Sequence, residues 1–284
     1  MIRTAETERL VLSHFSLDRN HPIEDRFRAA SAAGIQGVGL FAGQYAQLLE
    51  HGWSPARFHE LIEDTGVRIV QVEALSGWGA DVPAARYLEF EQLVWDIVDE
   101  FEVPYVQSIG PYDGSLSDCA QRFGELCDRA SEHGTIVGLE FLPFTNIVDA
   151  GDALGIVERA ARGNSGVCVD IWHHVRGADD LDLIRSIPLE LIVGVQMSDG
   201  PAAATLDDYK DDCLRNRVPP GAGDFAVDEF VTTLLDLGVD LPWDLEVCNA
   251  AAWGVPAAQH VAACADGMRS VLERTLNHRP KDTT

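Results

Sequence analysis

Four oxygen-bearing side chains follow apolar runs in the second half of the sequence, each where a buried strand would end. They are Glu140 after VGL, Asp170 after VCV, Gln196 after VGV and Glu246 after WDL. Carboxylates gathered without a cation would repel one another, and an unpaired buried charge is strongly destabilising. A divalent cation would neutralise them, and an all-oxygen set suits Mn²⁺ or Mg²⁺ better than zinc. These four are therefore predicted metal ligands, the alternative being helix caps or partners of Arg176 or Arg217.

A pair of histidines follows one of these carboxylates. His173 lies three residues after Asp170, and His174 is next to it. The D-x-x-H spacing predicts an imidazole on the loop above a strand end, where it could bind a substrate oxygen or transfer a proton. Adjacent histidines point in different directions, so His173 is the predicted catalytic residue and His174 a candidate for substrate binding. The alternative is a hydrogen-bonded structural histidine.

Other candidates for substrate binding lie just past predicted strands. Arg217 precedes the rigid turn Pro-Pro-Gly-x-Gly and could orient a hydroxyl, carboxylate or phosphate, unless it forms a surface ion pair. His14 and Glu73 end the first and third predicted strands and could line the same mouth or be hydrogen-bonded wall residues. Trp78 and Trp172 could form an apolar wall over a carbon chain or ring, the alternative being core packing.

These residues must be positioned by elements that alternate along the chain. The predicted strands are Leu10–Phe15, Gly37–Phe41, Arg68–Ala74, Tyr105–Ile109, Ile136–Phe141, Gly166–Asp170, Ile192–Met197 and Trp243–Val247. The predicted helices are Ile23–Ala33, Ser54–Asp64, Ala84–Glu100, Asp118–Glu132, Gly151–Arg162, Ala178–Ser186, Val227–Leu237 and Pro256–Asn277. The long stretch from Ser198 to Asp224 exceeds the usual loop length, which indicates a functional loop.

The alternation predicts an α/β fold, a single (β/α)8 TIM barrel. Near-continuous apolar runs are typical of parallel strands that are covered on both faces. A doubly wound open sheet would normally carry a glycine-rich turn after its first strand, whereas SLDRNHP follows Phe15. We therefore predict one domain over residues 1–284, with its core at about residues 10–274. Catalytic groups of such barrels lie at the carboxyl ends of the strands.

Composition narrows the range of partners. The 284 residues include 46 acidic and 21 basic side chains, and the formal net charge is −25. This charge disfavours nucleic acids and membrane surfaces, so we expect a small-molecule partner. The segment Met1 to Leu10 has no apolar stretch typical of an export signal, and the six cysteines form no CxxC pair. These features predict a cytoplasmic protein with reduced thiols.

Five stretches make the chain resemble a known family: GLEFLP, VCVDIWHH, GVQMSDG, RVPPGAGDF and DLEV. They are similar to the xylose-isomerase-like TIM barrels, which include ketose 3-epimerases, inosose dehydratases, 3-dehydroshikimate dehydratases and, more distantly, endonuclease IV. The resemblance runs from roughly Leu10 to Arg274. It implies one divalent metal held by Glu140, Asp170, Gln196 and Glu246. It further implies substrate contacts from His173 and Arg217, and a homo-oligomer, either a dimer or a tetramer.

The resemblance also implies catalytic roles. In the epimerases the two metal-bound glutamates act as the acid and base, which implies that Glu140 and Glu246 remove and return a proton. The third ligand is commonly histidine in ketose epimerases, so Gln196 looks more like the dehydratase branch. Those dehydratases carry a histidine at the position of Leu142, however, and many relatives carry a glutamate at the end of the second strand, here Gly37-Val38-Gly39-Leu40.

The main functional hypothesis is a divalent-metal-dependent isomerase or epimerase of a sugar or keto-sugar. The alternative is a lyase that eliminates water from a keto-sugar, a keto-cyclitol or a dehydroshikimate-like substrate. Both reactions begin with proton removal beside a metal-bound carbonyl, and an additional acid over the leaving group would favour the lyase. A nuclease would require a histidine-rich zinc site and a basic groove, and a barrel that only binds a ligand would not explain the clustered carboxylates.

Overall fold

The computed structural model describes residues 9–278, and its centre is a closed barrel of eight strands. The strands are β1 (Leu10–Leu12), β2 (Gly37–Phe41), β3 (Arg68–Leu75), β4 (Tyr105–Ile109), β5 (Ile136–Glu140), β6 (Ser165–Asp170), β7 (Ile192–Met197) and β8 (Trp243–Leu245). Every strand is parallel to its neighbours in the sequence, and β8 closes the barrel against β1. This architecture confirms the predicted (β/α)8 barrel.

Helices follow the strands along the chain. They are α1 (Ile23–Ala32), α2 (Ala42–Glu50), α3 (Pro55–Thr65), α4 (Ala85–Phe101), α5 (Leu116–Glu132), α6 (Ala150–Ala160), α7 (Ile171–Arg176), α8 (Leu181–Arg185), α9 (Tyr209–Arg215), α10 (Val227–Leu237) and α11 (Ala257–His278). Three of them, α2, α7 and α9, fall where no helix was predicted. None of the helices in residues 9–278 combines the length and apolar composition needed to cross a bilayer.

Local side-chain caps explain where the predicted bounds were wrong. The Ser13 side chain accepts from the Phe15 backbone N–H and begins a 3₁₀ turn, so β1 ends at Leu12 and His14 lies beyond it. Asp170 caps α7 by accepting from the Trp172 N–H at 2.6 Å. The D-x-x-H segment is therefore helical rather than a loop.

Other bounds also differ from the prediction, among them those of α8 and β8. Asp180 caps α8, so the helix predicted from Ala178 is only five residues long. At the end of the barrel, β8 stops at Leu245, and Glu246 lies one residue past the strand while its N–H still donates to Met197 at 3.0 Å.

The strand register brings the candidate ligands to the same rim of the barrel. Glu140 pairs with Ile109 on one side and with Cys168 on the other, and Asp170 pairs with Gln196. Parallel strands in this register bring their carboxyl ends to the same rim. The fold thus brings together residues that are far apart in the sequence.

Small residues inside the barrel make room for polar side chains. An ideal Cβ on Gly39 would lie 1.6 Å from Oε1 of Glu73, so this position on β2 must lack a side chain for Glu73 to occupy the interior.

The six cysteines are buried and form no disulfide bond. The segment Met1 to Leu10, predicted to carry no export signal, lies almost entirely outside the described residues. The single-domain assignment over residues 1–284 stays a prediction.

Candidate active site

Three residues from the ends of β5 and β6 and from helix α7 form a compact cluster at the barrel rim. Nε2 of His173 lies 3.3 Å from Oε1 of Glu140 and 3.6 Å from Oδ2 of Asp170. The ligand atoms of these three residues all lie within 4.8 Å of one another, and all three side chains are buried. Such a cluster of two carboxylates and one imidazole can hold a divalent cation.

Arg217 provides the positive charge next to this cluster. Its Nη1 lies 2.8 Å from Oδ2 of Asp170 and 2.9 Å from Oε2 of Glu246, so one guanidinium joins two predicted metal ligands. The side chain is 1% exposed, and the ion pairs are therefore shielded from solvent. The arginine pairing considered as an alternative for these carboxylates thus occurs, at Asp170 and Glu246, alongside the cluster.

Gln196 lies in a different set of contacts. Its Oε1 accepts from Nε2 of Gln107 at 3.0 Å, and its Nε2 donates to Oδ2 of Asp244 at 3.3 Å. Nε2 of Gln107 also donates to Oε2 of Glu140 at 2.6 Å, and Nε2 of Gln71 joins Asp244 (2.8 Å) to Glu73 (2.5 Å). We call this hydrogen-bonded series, Glu73–Gln71–Asp244–Gln196–Gln107–Glu140, the amide chain.

The amide chain contains three residues that the sequence analysis missed: Gln71, Gln107 and Asp244. Each interrupts an apolar strand with a polar side chain, and this was the available signal. The spacing along one strand cannot identify the partner, because the partners belong to other strands. Every one of these side chains is buried, and Asp244 accepts from two glutamines.

Burial dominates the electrostatics of the site. It raises the pKa of Glu140 well above the usual value, with the Glu246 and Asp170 charges adding to the effect. Burial likewise raises the pKa of Glu246 to about 8, although Arg217 opposes the shift. Burial also disfavours ionisation of Asp170, but Arg217 and His173 overcome this and lower its pKa. Burial lowers the pKa of His173 to about 3, so its imidazole is neutral near pH 7.

Two predicted substrate-binding residues lie on the opposite side of the rim. Glu73 is fully buried and accepts from the Ser13 hydroxyl at 2.8 Å and from the His14 backbone N–H at 3.1 Å. The same hydroxyl lies 3.5 Å from Oε1 of Glu246. The imidazole of His14 packs against Phe15 and Phe41. Ser13, absent from the predicted site, thus connects Glu73 with Glu246.

Three predicted substrate-binding residues remain, and each has a different environment. Trp172 is fully buried, and its ring lies 5.4 Å from the Arg217 guanidinium. Trp78 donates its indole N–H to the Ile109 carbonyl at 2.9 Å and is 3% exposed. The ring of His174 lies 5.6 Å from that of Phe230 on α10, and the structure does not bring it into the carboxylate cluster. Their roles in substrate binding stay predictions.

The loop after β7, predicted to be functional, contributes α9 to the site. The Tyr209 hydroxyl lies 2.9 Å from Nδ1 of His173. Cys213, one turn later, accepts from Arg217 through its carbonyl at 3.2 Å and its sulfur at 3.1 Å. Neither residue was predicted, because the path of a long loop depends on contacts with distant elements.

Two known proteins are similar in sequence to most of this chain. The chain is 29% identical over 271 residues to a 3-dehydroshikimate dehydratase of Pseudomonas aeruginosa, covering 92% of this chain and 42% of that protein. It is 26% identical to a 3-dehydroshikimate dehydratase of Pseudomonas putida, covering 88% of this chain and 39% of the relative. The chain therefore spans about two fifths of the length of these relatives.

Solved structures share the fold. The IOLI protein, described with a bound zinc atom, has a TM-score of 0.82 at 15% identity, with 94% of this chain and 99% of that chain covered. The probable 3-DHS dehydratase AsbF of Bacillus anthracis has a TM-score of 0.74 at 17% identity, with 94% and 99% covered.

Most of the sequence also matches one family. The match extends over residues 27–271, and the family is described as the xylose isomerase-like TIM barrel. This range includes all six residues implied as metal ligands or substrate contacts by the resemblance. The chain belongs to the xylose isomerase-like TIM barrel family.

Proposed function

We propose that this chain is a divalent-metal-dependent dehydratase that eliminates water from 3-dehydroshikimate or a closely related keto-cyclitol. The main hypothesis from the sequence was an isomerase or epimerase, with a lyase as the alternative. Two relatives that match about nine tenths of the chain are named dehydratases, which favours the alternative. The observation that carries the proposal is the buried Glu140–Asp170–His173 cluster at the rim of a barrel with these relatives.

The residues present fit a divalent cation. Two carboxylate oxygens and an imidazole nitrogen lie within 4.8 Å of one another, and Glu246 is linked to Asp170 through one guanidinium nitrogen. Glu140, Asp170 and Glu246 would hold the ion, with Gln196 as the predicted fourth ligand. Oxygen donors favour Mn²⁺ or Mg²⁺, whereas a contribution from His173 would also suit zinc. When bound, the cation would supply Lewis-acid polarisation of a substrate carbonyl.

The protein side chains would carry the proton transfers. Glu140 and Glu246 approach the rim from β5 and the end of β8, and they are the candidates for removing a proton beside the carbonyl. Elimination also requires an acid for the departing hydroxyl group. His173 lies 3.3 Å from Glu140 and could exchange a proton with it or with the leaving oxygen. Arg217 would bind a substrate oxygen or carboxylate through Nη1, whose bonds to Asp170 and Glu246 a bound cation would replace.

The test is direct because the expected product is aromatic. Dehydration of 3-dehydroshikimate followed by enolisation gives 3,4-dihydroxybenzoate, whose ultraviolet absorbance distinguishes it from the substrate. The chain, stripped of metal and reloaded with Mn²⁺, Mg²⁺ or Zn²⁺ separately, should form this product. A panel of keto-sugars in D₂O tests the isomerase alternative, since isomerisation incorporates deuterium without loss of water. Exchange on a keto-sugar, together with no aromatic product, would contradict the proposal.

A further inference from the structure

The α9 helix contacts His173, which belongs to the cluster with Glu140 and Asp170, and Arg217 next to it. Tyr209 and Cys213 are four residues apart and therefore lie on the same face of the helix. Tyr209 reaches Nδ1 of His173, and Cys213 accepts two contacts from Arg217. One face of α9 therefore contacts both the imidazole of His173 and the guanidinium of Arg217.

The contacts of His173 determine which ring nitrogen carries its proton. Nε2 lies 3.2 Å from Nη2 of Arg217. A guanidinium has donors and no acceptor, so Nε2 of the neutral ring must accept this hydrogen bond. The proton must then reside on Nδ1, which donates to the Tyr209 oxygen at 2.9 Å. The two rings are nearly parallel, with an interplanar angle of 18° and centroids 6.0 Å apart.

The Tyr209 ring is held in place from both sides. Phe144, after β5, packs against it with ring centroids 5.5 Å apart. On the α9 side, the carboxylate of Asp212 accepts from the backbone N–H of Thr205 (3.1 Å) and of Leu206 (3.2 Å) and from the Asn216 amide (2.8 Å). These bonds tie the loop together around the helix, so the tyrosine oxygen has a defined position relative to His173.

We propose that Tyr209 is a positioning residue that fixes the orientation of His173: Arg217 sets the tautomer, and Tyr209 accepts from Nδ1–H and keeps the unprotonated Nε2 directed at Glu140 and Asp170. Its role in turnover rests on the proposed function, whereas its hydrogen bond to the ring does not. Groups that orient an imidazole through its second nitrogen commonly change activity by about 10–100-fold when they are removed. Tyr209 would act only through His173 and would not touch the substrate.

The variant Tyr209→Phe tests the assignment because it keeps the ring and removes the oxygen. We expect kcat to fall about tenfold with little change in KM. Tyr45→Phe is the matched control, since that ring packs against Phe58 and Phe101 at a distance from the site. In a His173→Gln background, Tyr209→Phe should change kcat less than about twofold, because the residue it acts through is already gone. An equal loss in both backgrounds would overturn the proposal.

The tautomer itself is measured by ¹⁵N NMR of the histidine ring, with His173 assigned by its disappearance in His173→Gln. The wild-type protein should carry the ring proton on Nδ1. Tyr209→Phe should leave it there, because Arg217 still donates to Nε2, but the Nδ1–H proton resonance should move upfield because its acceptor is gone. A wild-type proton on Nε2, or an unchanged Nδ1–H resonance in Tyr209→Phe, would refute the positioning role. If no variant turns over any substrate, the proposed function fails, and the NMR measurement still decides the role of Tyr209.

Discussion

The two halves of the barrel rim handle buried carboxylates in different ways. In the half formed by β1–β4, Glu73 accepts hydrogen bonds from Ser13, His14 and Gln71, all of them neutral donors. In the half formed by β5–β8, Asp244 also accepts from amides alone, but at the rim Glu140, Asp170 and Glu246 lie close together with one guanidinium between two of them. Neutral donors can satisfy a single buried carboxylate, whereas several carboxylates together require a cation. The second half is therefore the region suited to metal chemistry, and the first half is a supporting wall.

The largest expected effect is the loss of activity when the second half loses a carboxylate. Glu140→Gln removes a charge from the cluster but keeps the size of the side chain, and kcat should fall by about 10²–10⁴-fold, the contribution typical of a general acid or base. Glu125→Gln, a substitution at an exposed position of α5, is the control and should leave turnover unchanged. Steady-state kinetics on the reloaded enzyme give the comparison. Near-normal turnover by Glu140→Gln with metal bound would remove Glu140 from the proposed machinery.

The second-largest expected effect is on stability and concerns Arg217, the buried guanidinium of the half formed by β5–β8. Arg217→Met leaves the ionised Asp170 buried without its partner and removes a donor to Glu246, which should lower the free energy of unfolding of the metal-free protein by about 3–5 kcal/mol. Arg274→Met breaks the exposed pair with Asp228, so it should cost less than about 1 kcal/mol. Urea unfolding measures both variants.

Added Mn²⁺ provides the internal control for Arg217→Met. Because a bound cation would neutralise the same carboxylates, it should recover part of the lost stability of Arg217→Met. If Arg217→Met and Arg274→Met lowered the free energy of unfolding equally, the buried ion pairs of Arg217 would contribute no more to stability than the exposed pair of Arg274.

The sequence predicted the strand ends at the rim better than the hydrogen bonds between strands, for a physical reason. A carboxylate at the end of an apolar run is visible within one segment, so the sequence alone could place Glu140 and Asp170 at strand ends. The bounds of β2, β4 and β7 were likewise predicted, because continuous apolar runs mark buried strands. The amide chain joins Gln107 to Gln196, 89 residues apart, and depends on a strand register that no single segment determines.

A second kind of error concerns segments that were predicted as loops but are helical. His173 was predicted on a loop but lies on α7, because Asp170 serves as a strand residue and as the cap of the next helix. The contact between the Tyr209 hydroxyl and His173 could not be predicted, since it depends on how the long loop after β7 folds over the rim. Polar residues within apolar strands, such as Gln71 and Asp244, were the signal that could have indicated a buried hydrogen-bonded network.

The affinity for metal should depend on pH because of Glu246. Its pKa is raised to about 8, so in the metal-free protein this carboxyl group is protonated below that pH. Cation binding must then release this proton, so Glu246 alone makes the apparent affinity rise by up to about tenfold per pH unit up to roughly pH 8. The raised pKa of Glu140 adds a second proton to the release. Calorimetric titration with Mn²⁺ in buffers of different ionisation enthalpy measures the released proton. Glu246→Gln should bind more weakly and lose this part of the proton release; an unchanged release would assign it to another group.

The smallest effect is expected from the substitution made in the supporting wall. In Glu73→Gln, Oε1 can still accept from the His14 N–H and from Gln71, while the new amide N–H faces the Ser13 hydroxyl, which can rotate and accept. The free energy of unfolding should therefore change by only about 1 kcal/mol, and kcat by less than about tenfold. The same change at Glu140 is the matched comparison, because both side chains are buried glutamates at the rim. A loss at Glu73 as large as that at Glu140 would extend the chemistry to the first half, through Ser13 to Glu246.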